Sequence, residues 1–203
     1  PAPHTGYVYP AGGRQGTTFA VKMGGQGLDG VHGVIVGGTG VTAKVVEYHR
    51  KLGPQETQLL SEQMNELKRK PKEAALVKGE PLAARIQRRM DEYVNQPACA
   101  SIASLVFLEV AIAPDAEPGA REIRVLTPGG VSNPLAFHGG QLKEHTRKPL
   151  LTRPFQVLGK EEQALRKRPT DEAEARIELP CTVNGQIAPG EVNAYRFAAR
   201  KGQ

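Results

Sequence analysis

The sequence predicts a mainly β protein that one helical segment interrupts. Short stretches in which apolar and polar residues alternate are typical of strands, and clusters of glycine or proline separate these stretches. Glycine and proline are abundant, at 23 and 16 of 203 residues, whereas aromatic residues make up only 5% of the chain. This composition favours short strands and many turns over a helical bundle.

Four strands are predicted before the helical segment and three after it, at residues 7–9, 17–23, 31–36, 41–49, 104–113, 121–126 and 133–137. In the second of these, Phe19, Val21 and Met23 fall on one face because side chains alternate along a strand. In the fourth, the alternation and the β-branched residues favour a strand over a helix.

The helical segment begins where the spacing of apolar residues changes. After Gly53 they recur at intervals of three and four until Pro71, which indicates a first amphipathic helix. Pro81 occupies a position that suits the first turn of a second helix. We therefore predict a helical hairpin at residues 54–96, inserted into one loop of the β domain.

The apolar stripes of this hairpin are a candidate surface for contacts with a partner. They comprise Leu60, Met64, Leu67, Ile86, Met90 and Tyr93. The simpler alternative is that the two stripes pack on each other, as amphipathic helices commonly do. In that case only the outer faces of the helices are available to a partner.

The chain divides into three predicted parts. Residues 1–140, without the insertion at 54–96, amount to roughly 100 residues, which is the size of an immunoglobulin-like β-sandwich. Residues 141–176 are polar and contain proline, so we predict a linker or an extended arm. Residues 177–203 then form the first strands of a second β-sandwich.

The C-terminal part carries the signals of a strand pair. Residues 175–183 and 191–199 alternate like strands, and the dipeptide Asn184-Gly185 between them is a strong hairpin signal. Two or three strands bury too little apolar surface to be stable alone, so we expect the remainder in further sequence or in a partner. If the chain ends at Gln203, strand addition by another chain is the expected means of assembly.

Two families resemble this chain. IPT/TIG immunoglobulin-like domains of large exported bacterial proteins are similar to Tyr9-Pro-Ala-Gly-Gly-Arg-Gln-Gly-Thr-Thr18, Gly25-Gln-Gly-Leu28 and Arg124-Val-Leu-Thr-Pro-Gly-Gly-Val-Ser-Asn-Pro134. The start of the bacterial pre-peptidase C-terminal (PPC-like) domain is similar to Val183-Asn-Gly-Gln-Ile-Ala-Pro-Gly-Glu-Val-Asn193. The resemblance therefore covers both ends of the chain.

This resemblance implies a secreted or surface-associated protein in which an immunoglobulin-like module precedes a second sandwich, without catalytic residues of its own. The helical insertion departs from the IPT/TIG pattern, and the second domain is cut short. Some PPC-like domains bind calcium, but the similar segment offers only Glu191 and Asn193 as candidate oxygen ligands. Calcium takes about six to eight oxygens, so no complete calcium site is predicted.

Charge and hydropathy exclude two classes of partner. The net charge is +6, from 27 Lys and Arg against 21 Asp and Glu, but the basic residues are interleaved with acids. This pattern is typical of a solvated surface, so no nucleic-acid binding is predicted. No apolar run approaches the roughly 18 to 20 residues of a membrane-spanning helix, so no membrane insertion is predicted.

A glycine spacing offers the strongest enzymatic alternative. Gly38, Gly40 and Ala43 match a dinucleotide-binding turn, but such a turn requires a helix directly after the glycines. A turn between two strands is therefore favoured. The five histidines are scattered and no serine lies in a GxSxG motif. We accordingly predict no catalytic, cofactor-binding or metal-binding residue and no cofactor.

The two cysteines, Cys99 and Cys181, lie far apart and form no CxxC motif, which excludes a zinc ribbon and a thioredoxin-like site. A disulfide between them and two free thiols are both compatible with the sequence. The chain begins at Pro1 without a methionine or an apolar leader, so we expect a processed or partial polypeptide.

Together these features predict a non-enzymatic, exported scaffold or interaction module that spaces or docks protein partners at the cell surface or in the periplasm. One alternative is a structural subunit of an extracellular assembly that strand addition completes. Another is an accessory region of a secreted hydrolase, such as a subtilisin-like protease, whose active site lies outside this sequence.

Overall fold

The computed structural model describes residues 2–69, 81–92, 100–148, 174–187, 192–200 and 202. The strands within residues 4–140 are β1 (His4–Tyr9), β2 (Gly12–Arg14), β3 (Thr17–Gln26), β4 (Gly33–Val36), β5 (Val41–His49), β6 (Ser104–Ile112), β7 (Gly119–Thr127), β8 (Gly130–Val131) and β9 (Leu135–Gly140). Four short strands follow them, β10 (Lys143–Thr146), β11 (Glu174–Arg176), β12 (Cys181–Asn184) and β13 (Ala194–Arg196). Between β5 and β6 lie the helices α1 (Pro54–Arg69) and α2 (Leu82–Asp91) and a 3-10 turn at Ala100–Ile102.

Strands β1 to β9 form two sheets. The first sheet has the antiparallel order β1-β3-β6-β5, and the second has the order β2-β9-β7-β4, with β8 paired to β7. This is the order of a constant-type immunoglobulin sandwich, in which ABED strands face CFG strands. The predicted immunoglobulin-like β-sandwich is therefore confirmed, and β2 and β8 are short, glycine-containing additions to the predicted strands.

The core lies between the two sheets and is built from alternate residues of their central strands. The fully buried apolar side chains include Val21, Met23, Val106, Leu108, Val110, Ile123, Val125 and Phe137. Because β3 and β6 contribute from one sheet and β7 and β9 from the other, these residues pack across the sandwich. Full burial of each such side chain stabilises the fold by about 1.5–3 kcal/mol.

Hydrogen bonds between Thr5 and Asn133 join the two sheets of the sandwich. The backbone N–H of Thr5 in β1 donates to Asn133 Oδ1 at 2.8 Å, and Asn133 Nδ2 donates to the Thr5 carbonyl oxygen at 2.9 Å. Thr5 is buried, so these bonds satisfy polar groups that water cannot reach. The first strand of one sheet is thereby joined to the segment that leads into β9 of the other.

The predicted insertion contains both helices, which pack on each other. Met64 of α1 is buried against Ile86 and Met90 of α2, and Leu60 and Leu67 pack against this cluster. These five residues of the candidate partner surface therefore hold the two helices together, as the self-packing alternative predicts. The three buried ones among them are not available to a partner. Tyr93, the sixth member, lies outside the described residues, as do residues 70–80 and 93–96 of the insertion.

The helix pair lies against the outer face of the first sheet. Lys22 Nζ in β3 contacts Glu92 Oε2, at the end of α2, at 2.7 Å, and the two side chains are only 8% and 15% exposed. Arg88 in α2 reaches Glu47 in β5, with Nη2 3.3 Å from Oε2. Because β3 and β5 flank β6, these two contacts join the C-terminal end of α2 to both sides of the central strand.

The prediction of a C-terminal hairpin is wrong. The predicted strand at 175–183 is divided into β11 and β12, and the two do not share a sheet. Pro180, which has no N–H to donate, lies between them. Strand β12 pairs in parallel with β10, and β11 pairs in parallel with β13. The Asn184 carbonyl accepts the N–H of Arg147 at 3.0 Å, so this residue extends the β10 pairing instead of turning a hairpin.

Strands β10 and β11 both lie within residues 141–176, the range of the predicted linker or extended arm. Its centre, residues 149–173, lies outside the described residues, as does the segment 188–191 of the predicted second strand. Residues 143–148 and 174–200 therefore contain two two-stranded parallel sheets where a linker and a hairpin were expected.

Candidate functional site

Exposed apolar side chains are concentrated in residues 174–200, in and beside the last short strands. Their exposed fractions range from 37% for Val183 to 76% for Val192. The full set is Leu179, Val183, Ile187, Val192 and Phe197. Clusters of exposed apolar residues mark contact sites more often than single ones do. We call this set the C-terminal apolar surface.

Each strand beside this surface has one pairing partner among the described residues. Among the described residues, β11 pairs only with β13 and β12 pairs only with β10. Parallel strands are ordinarily buried in larger sheets, and an open edge presents N–H and C=O groups that another strand can bind. The arrangement is therefore suited to accept a strand.

The C-terminal strands are joined to the sandwich through Tyr9 at the end of β1. Its hydroxyl group donates to the carbonyl oxygen of Arg147 at 2.6 Å and lies 3.3 Å from that of Asn184. Burial raises the pKa of Tyr9 to about 12, with a smaller contribution from Tyr195. The phenol therefore keeps its proton, and its donated bond, well above neutral pH.

Side chains of β10 and β13 strengthen this junction. The guanidinium carbon of Arg147 lies 5.5 Å from the centre of the Tyr195 ring, and the ring of His145 meets Tyr195 edge to face at 6.4 Å. Asn184 Nδ2 donates to Glu144 Oε2 at 2.6 Å, and burial raises the pKa of that carboxyl group. These contacts are structural, since they position strands rather than present reactive groups.

A second candidate site is a cleft between β5 and the helix pair, with a volume of about 510 Å³. Its wall consists of Tyr48, His49, Arg50, Leu52, Glu56, Leu59, Leu60, Gln63 and Arg89. We call it the helix–sheet cleft. It combines apolar side chains of α1 with basic groups near the end of β5.

Polar contacts order the side chains around this cleft. His49 Nε2 lies 2.8 Å from Glu47 Oε1, and Arg88 contacts the other carboxylate oxygen. Burial alone would raise the pKa of Glu47, but the hydrogen bond from His49 and the charges of His49, Arg88 and Arg85 hold it below its ordinary value. Glu47 is therefore ionised at neutral pH, and its negative charge lies close to the positively charged Arg88 and Arg85.

The glycine spacing at residues 38–43 forms a turn between strands. Gly38 and Gly40 have φ values of +78° and +76°, which favour glycine, and β5 follows them directly as a strand. A Cβ atom on Gly40 would lie 2.7 Å from the Cβ of Ala116, so this turn also packs closely. Since no helix begins at these glycines, the geometry of a dinucleotide site is not formed.

The cavity beside this turn, of about 680 Å³, is lined by residues 117–122 and by Gly37 and Gly38. Its basic side chain, Arg121, donates to the carbonyl oxygens of Gly37 at 2.9 Å and of Glu117 at 2.6 Å. The guanidinium group therefore holds two loops together. Its Nε is buried and has no hydrogen-bond partner among the described residues.

The described part of the chain contains no group of three or more His, Cys, Asp or Glu side chains that could hold a metal ion. Asn193 donates to the carbonyl oxygen of Gln186 at 3.1 Å, and Glu191, the other candidate calcium ligand, lies outside the described residues. Cys181 is a half-buried free thiol, as one of the two alternatives predicts, and Cys99 lies outside the described residues. Within the described residues, no helix has the length and apolar character needed to cross a membrane.

A scan against models of known protein families finds no match, and a search of the curated proteins finds none either. The resemblance to IPT/TIG and PPC-like domains therefore stays a prediction.

Sequence reasoning missed the helix–sheet cleft. Glu47 and His49 lie two residues apart on one predicted strand, so their shared face was a usable signal. Arg89 is 40 residues from His49 and reaches the cleft only because α2 packs on the sheet. No local pattern indicates that contact.

Proposed function

We propose that this protein is a non-enzymatic scaffold whose C-terminal strands dock a protein partner by strand addition. The observation that carries the proposal is the coincidence of the C-terminal apolar surface with strand edges that have no partner in the described part of the chain. The resemblance to exported bacterial modules supports a place of action at the cell surface or in the periplasm.

The occupant of this surface is a β-strand of a protein. Strand addition supplies backbone hydrogen bonds along an open edge, and alternate side chains of the added strand provide specificity. Here β12 and β13 offer the edges, while Val183 and Phe197 offer apolar contacts beside them. A nucleic acid or a small sugar would leave those apolar side chains in water.

Site-specific photo-crosslinking in the cells of origin tests the proposal. The full chain would carry p-benzoylphenylalanine in place of Phe197, and a matched chain would carry it in place of Val46, which is exposed on β5. We expect a single protein adduct from position 197 and none from position 46. The substitution Val192→Asp should suppress that adduct, because a charge replaces an apolar contact.

The mass of the adduct distinguishes the forms of the proposal. An adduct with a second copy of this chain supports a subunit of an assembly, and an adduct with another protein supports a docking module. The absence of any adduct at position 197, or equal adducts at positions 197 and 46, would overturn strand addition at this surface.

A further inference from the structure

We propose that the helix–sheet cleft binds a small monocarboxylate with an apolar chain. The cleft has an apolar wall and two arginine side chains, Arg50 and Arg89. Neither the scaffold function nor the packing of the helices accounts for this combination.

The shape and lining of the cleft fit a small amphipathic molecule. Its volume of about 510 Å³ lies within the roughly 300–1,000 Å³ that is typical of ligand pockets. Leu52, Leu59 and Leu60 form the apolar wall, and Leu59 is exposed although α1 could have carried a polar residue there. An aliphatic chain of medium length would cover these side chains.

Positive charge exceeds negative charge in the wall of the cleft. Arg50 and Arg89 line it, whereas Glu56 is the one carboxylate among its lining residues. Glu56 is already engaged, because it contacts Arg50 through one oxygen and accepts the N–H of Gly53 at 2.8 Å through the other. An additional anion would therefore meet two guanidinium groups, of which Arg50 already contacts the one carboxylate of the lining.

Arg89 is well placed to hold that anion. One of its nitrogens donates to the carbonyl oxygen of Arg50, and a guanidinium group carries five N–H donors in all. Burial lowers the pKa of Arg89, and the charge of Arg50 lowers it further, whereas Glu56 and Glu47 act in the opposite direction. A carboxylate between the two arginines would add a further negative charge that favours the charged form of Arg89.

His49 is the one buried polar side chain among the lining residues of the cleft. Its side chain is 6% exposed, its Nε2 is bound to Glu47, and its buried Nδ1 has no hydrogen-bond partner among the described residues. A buried polar atom without a partner costs free energy, but this atom has almost no accessible surface, so the anion contacts of the cleft rest on Arg50 and Arg89.

Titration of the full chain with sodium octanoate, followed by amide chemical shifts in NMR, tests this proposal. We expect saturable shifts at Tyr48, Arg50 and Leu59. Octanol, which has the chain without the charge, and acetate, which has the charge without the chain, should each bind at least about tenfold more weakly.

Two substitutions keep the test informative. Arg89→Gln should weaken octanoate binding about tenfold, because one charged hydrogen bond is lost. Since that change could also loosen α2, Leu59→Ser provides a second variant at an exposed position that can alter the wall without disturbing the core. Arg124→Gln, at an exposed ion pair with Glu122 on the other sheet, is the matched control and should leave binding unchanged.

Several outcomes would overturn the inference: no saturable shifts, an equal response to octanol, or binding that neither Arg89→Gln nor Leu59→Ser weakens. Strand addition at the C-terminal apolar surface involves other residues, so failure of one proposal leaves the other standing.

Discussion

The sandwich of residues 4–140 and the strands β10 to β13 are built from similar alternating sequences. They differ in the exposure of their apolar side chains, which are largely buried in the sandwich and largely exposed beside β12 and β13. In β6, alternate residues are buried because a second sheet faces them. In and beside β12 and β13, apolar side chains are exposed because each two-stranded sheet has no described sheet across from it. Alternation thus specifies a strand, whereas burial depends on what the rest of the molecule places opposite.

Substituting one phenylalanine in each region should give the largest difference in the free energy of unfolding. Phe137 is 0% exposed and its ring stacks on Phe19 with centres 6.4 Å apart. Phe137→Ala should therefore lower the free energy of unfolding by about 3–5 kcal/mol, since it leaves a cavity in the core. Phe197 is 50% exposed, and Phe197→Ala should change the same quantity by about 0.5 kcal/mol.

Urea denaturation followed by circular dichroism measures both values, with the slope of the transition as the check on two-state unfolding. Equal losses for the two variants would mean that residues 192–200 are packed as tightly as the sandwich core. In that case the comparison between the two regions fails.

A buried and an exposed ion pair should give a second, smaller difference in the free energy of unfolding. Glu92→Gln leaves the buried ammonium group of Lys22 without its partner, and we expect a loss of about 3 kcal/mol. Lys143 and Glu178 are equally close, at 2.8 Å, but both side chains are largely exposed. Water screens this pair, so Glu178→Gln should have no measurable effect on stability.

The same variants show where the stability is lost. Hydrogen exchange should quicken in α2 and at the centre of β3 in Glu92→Gln, because the ion pair joins these elements. Unchanged exchange in α2 would contradict the assignment of Lys22 and Glu92 as the contact that fixes the helix pair on the sheet.

Local patterns predicted the strands of the sandwich well, and the reason is physical. In β5 and β6 the period of two reflects one buried and one outward face, and the sequence records it directly. The helix pair was predictable for the same reason, because Met64, Ile86 and Met90 follow the helical period.

The C-terminal strands and the cleft were not predictable in this way. Asn184-Gly185 is a local hairpin signal, but β12 pairs with residues 143–146, more than 30 positions earlier, and that non-local pairing prevails. His49 and Arg89 come together only because α2 folds back onto the sheet. Such contacts depend on tertiary packing, which a single sequence does not show.

The last contrast concerns Tyr9, the residue that joins the two regions. An unfolded tyrosine loses its proton near pH 10, whereas burial raises the pKa of Tyr9 in the folded protein to about 12. Above pH 10 the unfolded chain therefore binds fewer protons than the folded one. The stability that Tyr9 contributes is complete below pH 10 and is lost as the pH rises through about 12.

Ionisation also removes the hydrogen that Tyr9 donates to the Arg147 carbonyl oxygen, so the C-terminal strands should loosen before the sandwich unfolds. Tyr9→Phe should cost about 1 kcal/mol at neutral pH and should weaken this alkaline response. Amide signals of residues 143–147 and 181–184, followed by NMR against pH, measure it. The matched control is Tyr48→Phe, whose hydroxyl group donates to Asp29 within the sandwich at 2.9 Å. If Tyr9→Phe and Tyr48→Phe left these signals with the same pH dependence, the junction would rest on contacts other than Tyr9, and the two regions would be coupled through β10 alone.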